Sequence, residues 1–103
     1  MTAYLIVEAK LSDPACYEKY KELAQEAIKR HQGRYLVCGG AVEVLEGEWT
    51  KPERLVVVEF DSIAQAKTFY NSPEYLAART LRKDAASMNI LVVEGVPQLS
   101  ESI

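Results

Sequence analysis

Apolar residues along the chain follow two different patterns. In four short stretches they stand next to one another, as is typical of β-strands. Between these stretches they recur every three or four positions with charges on the opposite side, as is typical of amphipathic helices. The predicted elements are a strand over 3–10, a helix over 14–32, strands over 34–46 and 54–60, a helix over 63–70, a helix from Pro73 to about Ala86, and a strand over 88–94.

Polar capping residues mark where the predicted helices begin. Asp13 and Ser72 each precede a proline, and their side chains can accept hydrogen bonds from the free N–H groups of a first turn. Asp61 or Ser62 caps the second helix, and Ser62 has a glutamine three residues later, as in a capping box. Gly33 is expected to end the first helix in the left-handed conformation.

The stretch from Arg34 to Asp61 is predicted to be a long β-hairpin. Its two β-rich halves flank a polar loop that contains Gly47 and Pro52. The first half is too long to stay flat, and it contains adjacent glycines at 39 and 40. Because glycine inside a strand marks a bulge or a close approach, we expect a kink there.

The order of the predicted elements is β-α-β-β-α-β, which is the split βαβ arrangement. Right-handed crossovers and hairpin pairing then predict an antiparallel sheet in the order 4-1-3-2, with the helices on one face. The expected fold class is therefore α+β and ferredoxin-like, as one half of a dimeric α/β barrel. We expect a single domain over 1–96, followed by a polar C-terminal tail over 97–103.

The predicted strands are apolar on both of their faces. An antiparallel sheet covered by helices on one side normally alternates apolar and polar residues. Here residues 5–7, 55–58 and 90–93 are consecutively apolar, so the second face needs a cover as well. We expect that cover to be the same face of a second copy, which makes the protein a homodimer. The alternative is a monomer whose mostly polar tail over 97–103 folds back.

Composition and charge exclude several classes of protein. The 103 residues carry a net charge of −3, whereas a protein that follows nucleic-acid phosphates shows a basic stripe. No apolar run approaches the ~20 residues of a membrane span, and the N-terminal segment reaches Glu8 too soon for a signal peptide. We therefore expect a cytoplasmic protein without nucleic-acid or membrane partners. Cys16 and Cys38 are interpreted as free thiols, with no metal-binding pattern.

Three segments of the chain carry a family resemblance. They are RYLVCGGAVEVLEGEW, PERLVVVEFDSIAQAKTFYNSPEYLAARTLRKDAA and ILVVEGV. Together they resemble a bacterial domain-of-unknown-function family, number 1330, within the dimeric α/β-barrel superfamily. The resemblance implies a ferredoxin-like subunit and a homodimer, and it brings no established reaction. Family members usually carry a basic residue where Cys38 stands, so an anion-binding role at this position does not carry over.

The wider superfamily includes cofactor-free monooxygenases, isomerases, dehalogenase-like enzymes and haem-degrading enzymes. The resemblance implies that the pocket of each subunit lies between its helices and its sheet. Haem degradation in this superfamily uses an Asn, a Trp and a His around that pocket. Asn71, Trp49 and His31 do not match that arrangement, and we expect no cofactor.

Three residues are candidates for moving a proton. His31 is the only histidine and falls on the apolar side of the first helix, where it could act as a general base. Glu59, and less favourably Glu94, follows an apolar strand, and apolar surroundings would raise its proton affinity. The structural alternatives are a helix-end cation for His31 and an acid paired with Arg34 for Glu59.

A second group of residues is suited to binding a substrate. Tyr75 and Arg79 stand one helical turn apart, and with Tyr70 and Ser72 they could clamp a carboxylate or phosphate. The alternatives are a solvated helix face for this group and core packing for the tyrosines of the first helix. The predicted substrate-binding residues are Tyr17, Tyr20, Arg34, Tyr70, Ser72, Tyr75 and Arg79.

Together with the superfamily resemblance, which implies an isomerase-like or monooxygenase-like reaction, these residues predict a cofactor-independent enzyme that acts on a small, partly apolar, anionic organic molecule. The alternatives are a non-catalytic small-molecule-binding or stress-associated dimeric domain, and a purely structural dimer. An open cavity with a titratable group aimed into it would favour the enzyme. For Arg54, an ion pair with Glu46 or Glu48 is as good an explanation as a role in a binding site.

Overall fold

The computed structural model describes residues 1–96, so the tail predicted over 97–103 lies outside the described residues. Its elements are β1 (Ala3–Leu11), α1 (Pro14–Arg30), β2 (Arg34–Cys38), β3 (Arg54–Phe60), α2 (Ile63–Tyr70), α3 (Pro73–Arg82) and β4 (Ala86–Glu94). The predicted β-α-β-β-α-β order is confirmed, with the second helical segment divided between α2 and α3. None of the helices within 1–96 is long and apolar enough to cross a membrane.

Each helix begins at a capping side chain. Asp13, Ser62 and Ser72 accept hydrogen bonds of 3.2, 3.0 and 3.2 Å from the backbone N–H three residues later. Of the two alternatives at α2, Ser62 rather than Asp61 is the cap. These bonds satisfy N–H groups that the first turn of a helix leaves free, which fixes the starting points of all three helices.

The end of α1 differs from the prediction. The positive φ of 63° belongs to Gln32, so the expected left-handed conformation of Gly33 is wrong. Gly33 is needed for a different reason: a Cβ there would lie 2.7 Å from Ile28 and 2.8 Å from Phe60. The backbone of Gly33 also donates a 2.8 Å hydrogen bond to the Ile28 carbonyl. This close approach lets the chain pass from α1 into β2 against the core.

The four strands form one antiparallel sheet in the order β2-β3-β1-β4. This is the predicted order read from the opposite edge. Leu5 in β1 pairs with Val58 of β3 and Val92 of β4. Along β1, buried residues alternate with half-buried ones, because successive side chains of a strand point to opposite faces. One face lies under the helices, and we call the other the open face.

The core lies between the helix-covered face of the sheet and the three helices. Its largest fully buried side chains are Phe60, Phe69 and Val58. The ring centroids of Phe60 and Phe69 are 5.3 Å apart, and those of Phe69 and Tyr75 are 4.5 Å apart. Burial of each large apolar side chain contributes about 1.5–3 kcal/mol, so this layer holds the helices against the sheet.

The second strand is shorter than predicted. β2 ends at Cys38 rather than at residue 46. Gly39 has a φ of 76°, which residues with a side chain rarely adopt, and its N–H donates a 2.9 Å bond to the carbonyl of Leu55. The kink expected at residues 39 and 40 is therefore the end of the strand. Residues 40–53 form a mostly exposed connection that carries Trp49.

The boundary between the last helix and the last strand also lies earlier than predicted. α3 ends at Arg82 rather than near Ala86, and β4 begins at Ala86 rather than at residue 88. The carbonyl of Ala85 accepts hydrogen bonds of 2.8 and 3.1 Å from the N–H groups of Ser12 and Asp13. Because these bonds tie Ala85 to the start of α1, the helix stops one turn sooner.

The open face has an apolar centre and charged ends. Ile6 pairs with Val57 and Leu91 in the two neighbouring strands. Leu91 and Val93 on the edge strand are 57% and 46% exposed. At one end of this face Arg34 lies opposite Glu59. The absence of alternation in the sequence thus corresponds to a second apolar surface that no helix of residues 1–96 covers.

Candidate functional site

A cavity lies between α1, the beginning of α3 and the helix-covered face of β1, β2 and β3. A water-sized sphere fits into only about 30 Å³ of it, and the free space, counting the open solvent at its mouth, is about 460 Å³, so an organic ligand would occupy the mouth as well. The inner wall is apolar, with Leu5, Val56 and Phe69 among its residues. The polar or partly polar residues that line it are Tyr17, Tyr20, Lys21, Gln25, Tyr35, Cys38, Arg54 and Tyr75.

Three buried tyrosines converge on this cavity. Helical spacing places Tyr17 and Tyr20 on the buried side of α1, and the cap of α3 brings Tyr75 against them. The hydroxyls of Tyr20 and Tyr75 are hydrogen-bonded at 2.7 Å, and the rings of Tyr17 and Tyr20 are 5.3 Å apart. Burial raises the pKa of both Tyr17 and Tyr20 above the ordinary tyrosine value. At neutral pH these phenols are therefore protonated and can donate hydrogen bonds.

Arg54 stands at the mouth of the cavity. Its position on β3 has the same parity as the buried valines of that strand. Its guanidinium carbon lies 5.7 Å from the centre of the Tyr17 ring, and its Nη2–H donates to Cys38 Sγ at 3.8 Å. The alternative of an ion pair with Glu46 or Glu48 is not what the structure shows, because no carboxylate of residues 1–96 forms a salt bridge with Arg54.

The rim of the cavity is completed by β2, whose residues are all exposed. Tyr35 and Cys38 lie on the helix-covered side of this strand, opposite Val58 and Val56. Partial burial raises the pKa of the Tyr35 phenol, and the neighbouring Cys38 adds to this shift. Because the β2 residues are exposed, we take the open mouth of the cavity to be on this side.

Ser72, which was predicted to bind substrate beside Tyr75, forms hydrogen bonds within the fold instead. Ser72 is 5% exposed. Its hydroxyl donates a 2.7 Å hydrogen bond to the carbonyl of Phe69 and accepts a 3.2 Å bond from the N–H of Tyr75. The Ser72 side chain therefore positions the tyrosine and does not line the cavity.

Tyr70 and Arg79 form a pair that does not line the tyrosine cavity, although the Tyr70 ring lies 5.7 Å from that of Tyr75. The Arg79 guanidinium lies 4.3 Å from the centre of the Tyr70 ring, a cation–π contact. Tyr70 lines a second cavity of about 250 Å³ between α2 and β4. This second cavity is lined by Leu5, Ala66, Lys67, Tyr70, Ile90, Leu91 and Val92. The structure therefore does not join Arg79 with Tyr75 and Ser72 in one anion clamp.

Glu59 and Arg34 lie together on the open face, away from the tyrosine cavity. Arg34 donates from Nε to Glu59 at 2.7 Å and from Nη2 to Asp61 at 3.0 Å. These two hydrogen bonds raise the pKa of the Arg34 guanidinium. Glu94 is exposed at the end of β4, where the register places it on the face opposite to Glu59.

His31 caps the end of α1 beside the core. Its ring lies edge-on to Phe69 with centroids 6.2 Å apart, and its Nε2 is 3.6 Å from a carboxylate oxygen of Glu74. The His31 side chain is 21% exposed. Phe69 lines the tyrosine cavity and His31 does not, so the imidazole reaches the cavity wall only through this phenylalanine.

The chemistry of the cavity is that of hydrogen-bond donors around an apolar space. Within the described chain, no carboxylate or imidazole lines it, and no group of three or more metal-ligating side chains is found in residues 1–96. Protonated phenols and a guanidinium can hold a carbonyl or an anionic oxygen. The cavity lining includes Tyr17, Tyr20 and Tyr75, which are candidates from the sequence, and Arg54, which is not. The four apolar residues that follow Arg54 in β3 hide the face on which it lies.

Comparison with curated proteins gives no significant match. Among solved structures, the chain is similar to a protein of unknown function from Rhodopseudomonas palustris, with 16% identity, a TM-score of 0.73, and coverage of 93% of this chain and 83% of that one. A dimeric protein of unknown function with a ferredoxin-like fold from Bacteroides fragilis gives 20% identity, a TM-score of 0.62, and coverage of 91% and 96%. SnoaB, a cofactor-independent oxygenase from Streptomyces nogalater, gives 10% identity, a TM-score of 0.66, and coverage of 95% and 96%.

At these identities the similarities establish the ferredoxin-like fold of the chain, in agreement with its strand order and helix placement. The sequence adds a more specific relationship, because the profile of one family matches residues 2–96. That family is described as a domain of unknown function, so the match assigns no reaction. The chain belongs to the DUF1330 family.

Proposed function

We propose that the tyrosine cavity binds a small organic molecule with an apolar body and an anionic oxygen, and that the protein acts on it as a cofactor-independent enzyme. The observation that carries this proposal is the convergence of Tyr17, Tyr20 and Tyr75 on a cavity with an apolar inner wall and an open mouth. Concave apolar sites with a few convergent polar groups are the usual form of small-molecule sites.

Phenols in this setting favour chemistry in which negative charge develops on oxygen. The hydroxyls of Tyr20 and Tyr75 are already oriented by their 2.7 Å hydrogen bond. Preorganised donors in a low-dielectric site stabilise an enolate or a similar oxyanion better than water does. Isomerisation and cofactor-free oxygenation both pass through such a carbanion or enolate. The similarity of fold to a cofactor-independent oxygenase supports this class of reaction.

The proton-transfer roles of His31 and Glu59 remain proposals. His31 is the better placed of the two, because its ring packs on Phe69 of the cavity wall. Glu59 is hydrogen-bonded to Arg34 on the open face, so a catalytic role for it requires a ligand on that side of the sheet. Within the cavity itself, the tyrosines are the groups that would stabilise negative charge on the ligand.

We also propose that the working unit is a homodimer joined through the open face. Ile6, Val57, Leu91 and Val93 give this face a continuous apolar centre. A stable interface buries about 800 Å² from each partner, and the area of one face of a four-stranded sheet is of the same order. A protein of similar fold from Bacteroides fragilis is described as dimeric, which supports the same arrangement here.

The experiment for the cavity uses phenylpyruvate, which combines an aromatic ring, a carboxylate and exchangeable protons beside a carbonyl. We expect titration to shift the NMR signals of the rings of Tyr17, Tyr20 and Tyr75. In D₂O the protein should accelerate deuterium exchange at the carbon beside the carbonyl, and Tyr75→Phe should reduce that acceleration. Tyr4→Phe, on the open face, is the matched control and should leave it unchanged.

A non-catalytic binding protein is the second candidate, because no carboxylate or imidazole of the described chain lines the cavity. The same experiment separates the two candidates. Ring shifts without accelerated exchange would favour the binding protein over the enzyme. If the three tyrosine signals do not respond to phenylpyruvate or to smaller organic acids, both candidates lose their site.

A further inference from the structure

Within residues 1–96, Arg54 differs from Arg34, the other arginine of the β2–β3 pair, in having no charged partner. The chain has 15 acidic and 12 basic residues other than histidine, so carboxylates are not scarce. Arg34 is held by two of them, whereas the described chain provides none to Arg54 within salt-bridge distance. A half-buried cation without a counter-charge is unfavourable, so its presence at the mouth of a cavity requires an explanation.

The local backbone is shaped around this guanidinium. Gly39 follows Cys38 at the end of β2 with a φ of 76°. A Cβ on Gly39 would lie 2.6 Å from Nη1 and 2.8 Å from the central carbon of Arg54. On the other side, the Tyr17 ring lies 5.7 Å from that same carbon. The guanidinium is thus held between a glycine and a tyrosine ring, with room that any larger residue at position 39 would fill.

The hydrogen-bond donors of Arg54 are only partly used. Its Nε–H is buried and has no acceptor among residues 1–96. One of its Nη2–H groups donates to the sulfur of Cys38 at 3.8 Å, and sulfur is a weak acceptor. Guanidinium N–H groups pair most strongly with carboxylate or other anionic oxygens, often two at a time. A ligand oxygen would therefore replace a weak bond and satisfy a free donor.

We infer that Arg54 selects the charge of the ligand, by binding the carboxylate or enolate oxygen of an organic monoanion whose apolar body enters the tyrosine cavity. This inference rests on the proposed function of that cavity as a binding site. One guanidinium faces the mouth, and Lys21, the other cation that lines the cavity, is 3.6 Å from Glu18. A single negative charge is therefore the match. Gly39 is a positioning residue, because it provides the space in which the guanidinium lies.

The experiment compares benzoate with its neutral counterpart benzamide by NMR titration of the tyrosine ring signals. The two probes have nearly the same shape, so their difference in affinity reports the charge. We expect the wild type to prefer benzoate by about tenfold or more, the usual effect of one charged hydrogen-bonding group. Arg54→Gln should abolish the preference while benzamide still binds, and Arg54→Lys should restore part of it. Arg30→Gln, which removes an exposed guanidinium at the end of α1 that does not line the cavity, is the matched control and should keep the wild-type preference.

Gly39→Ala tests the positioning role separately. Displacement of the guanidinium should lower the benzoate preference several-fold and leave benzamide affinity unchanged, whereas a merely structural effect would weaken both probes together. Equal binding of the two probes by the wild type, or a preference that persists in Arg54→Gln, would overturn the inference and leave the cavity as a ligand site. If neither probe shifts the tyrosine signals, both the proposed binding function of the cavity and the inference about Arg54 are overturned.

Discussion

The two faces of the sheet differ in whether their apolar side chains are buried and whether their arginine is paired. On the helix-covered face, apolar side chains are buried inside the subunit, and the arginine there, Arg54, has no carboxylate partner within residues 1–96. On the open face, Leu91 is 57% exposed, and Arg34 is held by two carboxylates. On the open face the arginine is paired but apolar side chains are exposed, so this face is suited to contact another protein surface. On the helix-covered face apolar side chains are buried but the arginine is unpaired within residues 1–96, so this face is suited to bind a small anion.

The largest effect is expected from a charge placed at the centre of the open face. Val57 pairs with Ile6 and Val37 on the neighbouring strands, so Val57→Lys would bring like charges together across the proposed two-fold interface. Like-charge contacts cost several kcal/mol, so we expect dimer affinity to fall by about 100-fold or more. Sedimentation velocity over a concentration series measures this.

The matched control for that variant is Leu76→Lys, because Leu76 is 45% exposed on α3 at the other side of the molecule. It should sediment like the wild type. A wild type that remains monomeric at every concentration would remove the open face as an interface. A Val57→Lys variant that still dimerises would show that the copies meet elsewhere.

The next largest effect is expected on stability, where two neighbouring valines on opposite faces can be compared. Val58 is 1% exposed in the core, so Val58→Ala should lower the free energy of unfolding by about 2 kcal/mol at any protein concentration. Val57→Ala should instead destabilise through the dimer, so its effect should depend on protein concentration. Urea unfolding at two concentrations that differ tenfold measures both. Equal and concentration-independent losses would remove the distinction between the faces.

Much of the fold was predictable because local signals and the global arrangement agree. The caps at Asp13, Ser62 and Ser72 were predicted and are confirmed, and so is the strand order. The length of β2 was not predictable, because the conformation of Gly39 decides it. The apolar residues 42, 44 and 45 beyond it continue a strand pattern that the backbone does not follow.

The candidate site was less predictable for a physical reason. In β3, residues 55–58 are all apolar, so the sequence contains no alternation from which the face of Glu59 or Arg54 can be read. Helix positions were easier, because charged residues on the far side of α1 define its buried side and hence Tyr17 and Tyr20. The position of Arg79 outside the cavity follows from the packing of α3, which spacing along one helix does not determine.

A smaller effect concerns the buried tyrosines of the helix-covered face at high pH. Burial, reinforced by the hydroxyl of Tyr75, raises the pKa of Tyr20 above the ordinary value of 10.0. The unfolded chain therefore loses this proton near pH 10 while the folded chain keeps it. The stability contributed by Tyr20 is fully present below pH 10 and declines above it, by up to about 1.4 kcal/mol per pH unit.

The variant Tyr20→Phe isolates this contribution. Near pH 8 it should be less stable than the wild type by about 1 kcal/mol, because the hydrogen bond to Tyr75 is lost. Between pH 10 and 11 the difference should shrink, since only the wild type has the phenol to ionise on unfolding. Urea midpoints measured at half-unit intervals from pH 8 to 11 would show this, and parallel curves for the two proteins would contradict the burial of that hydroxyl.

The smallest effect compares the two arginines directly by stability without ligand. Arg34→Gln removes hydrogen bonds to Glu59 and Asp61, so its melting temperature should fall slightly, and less so at high salt because exposed ion pairs are screened. Arg54→Gln removes a cation without a carboxylate partner, so its melting temperature should stay the same or rise. The opposite order would mean that Arg54 is a structural residue whose partner lies outside residues 1–96. A gain in stability together with a loss of benzoate preference is the behaviour of a residue retained for binding.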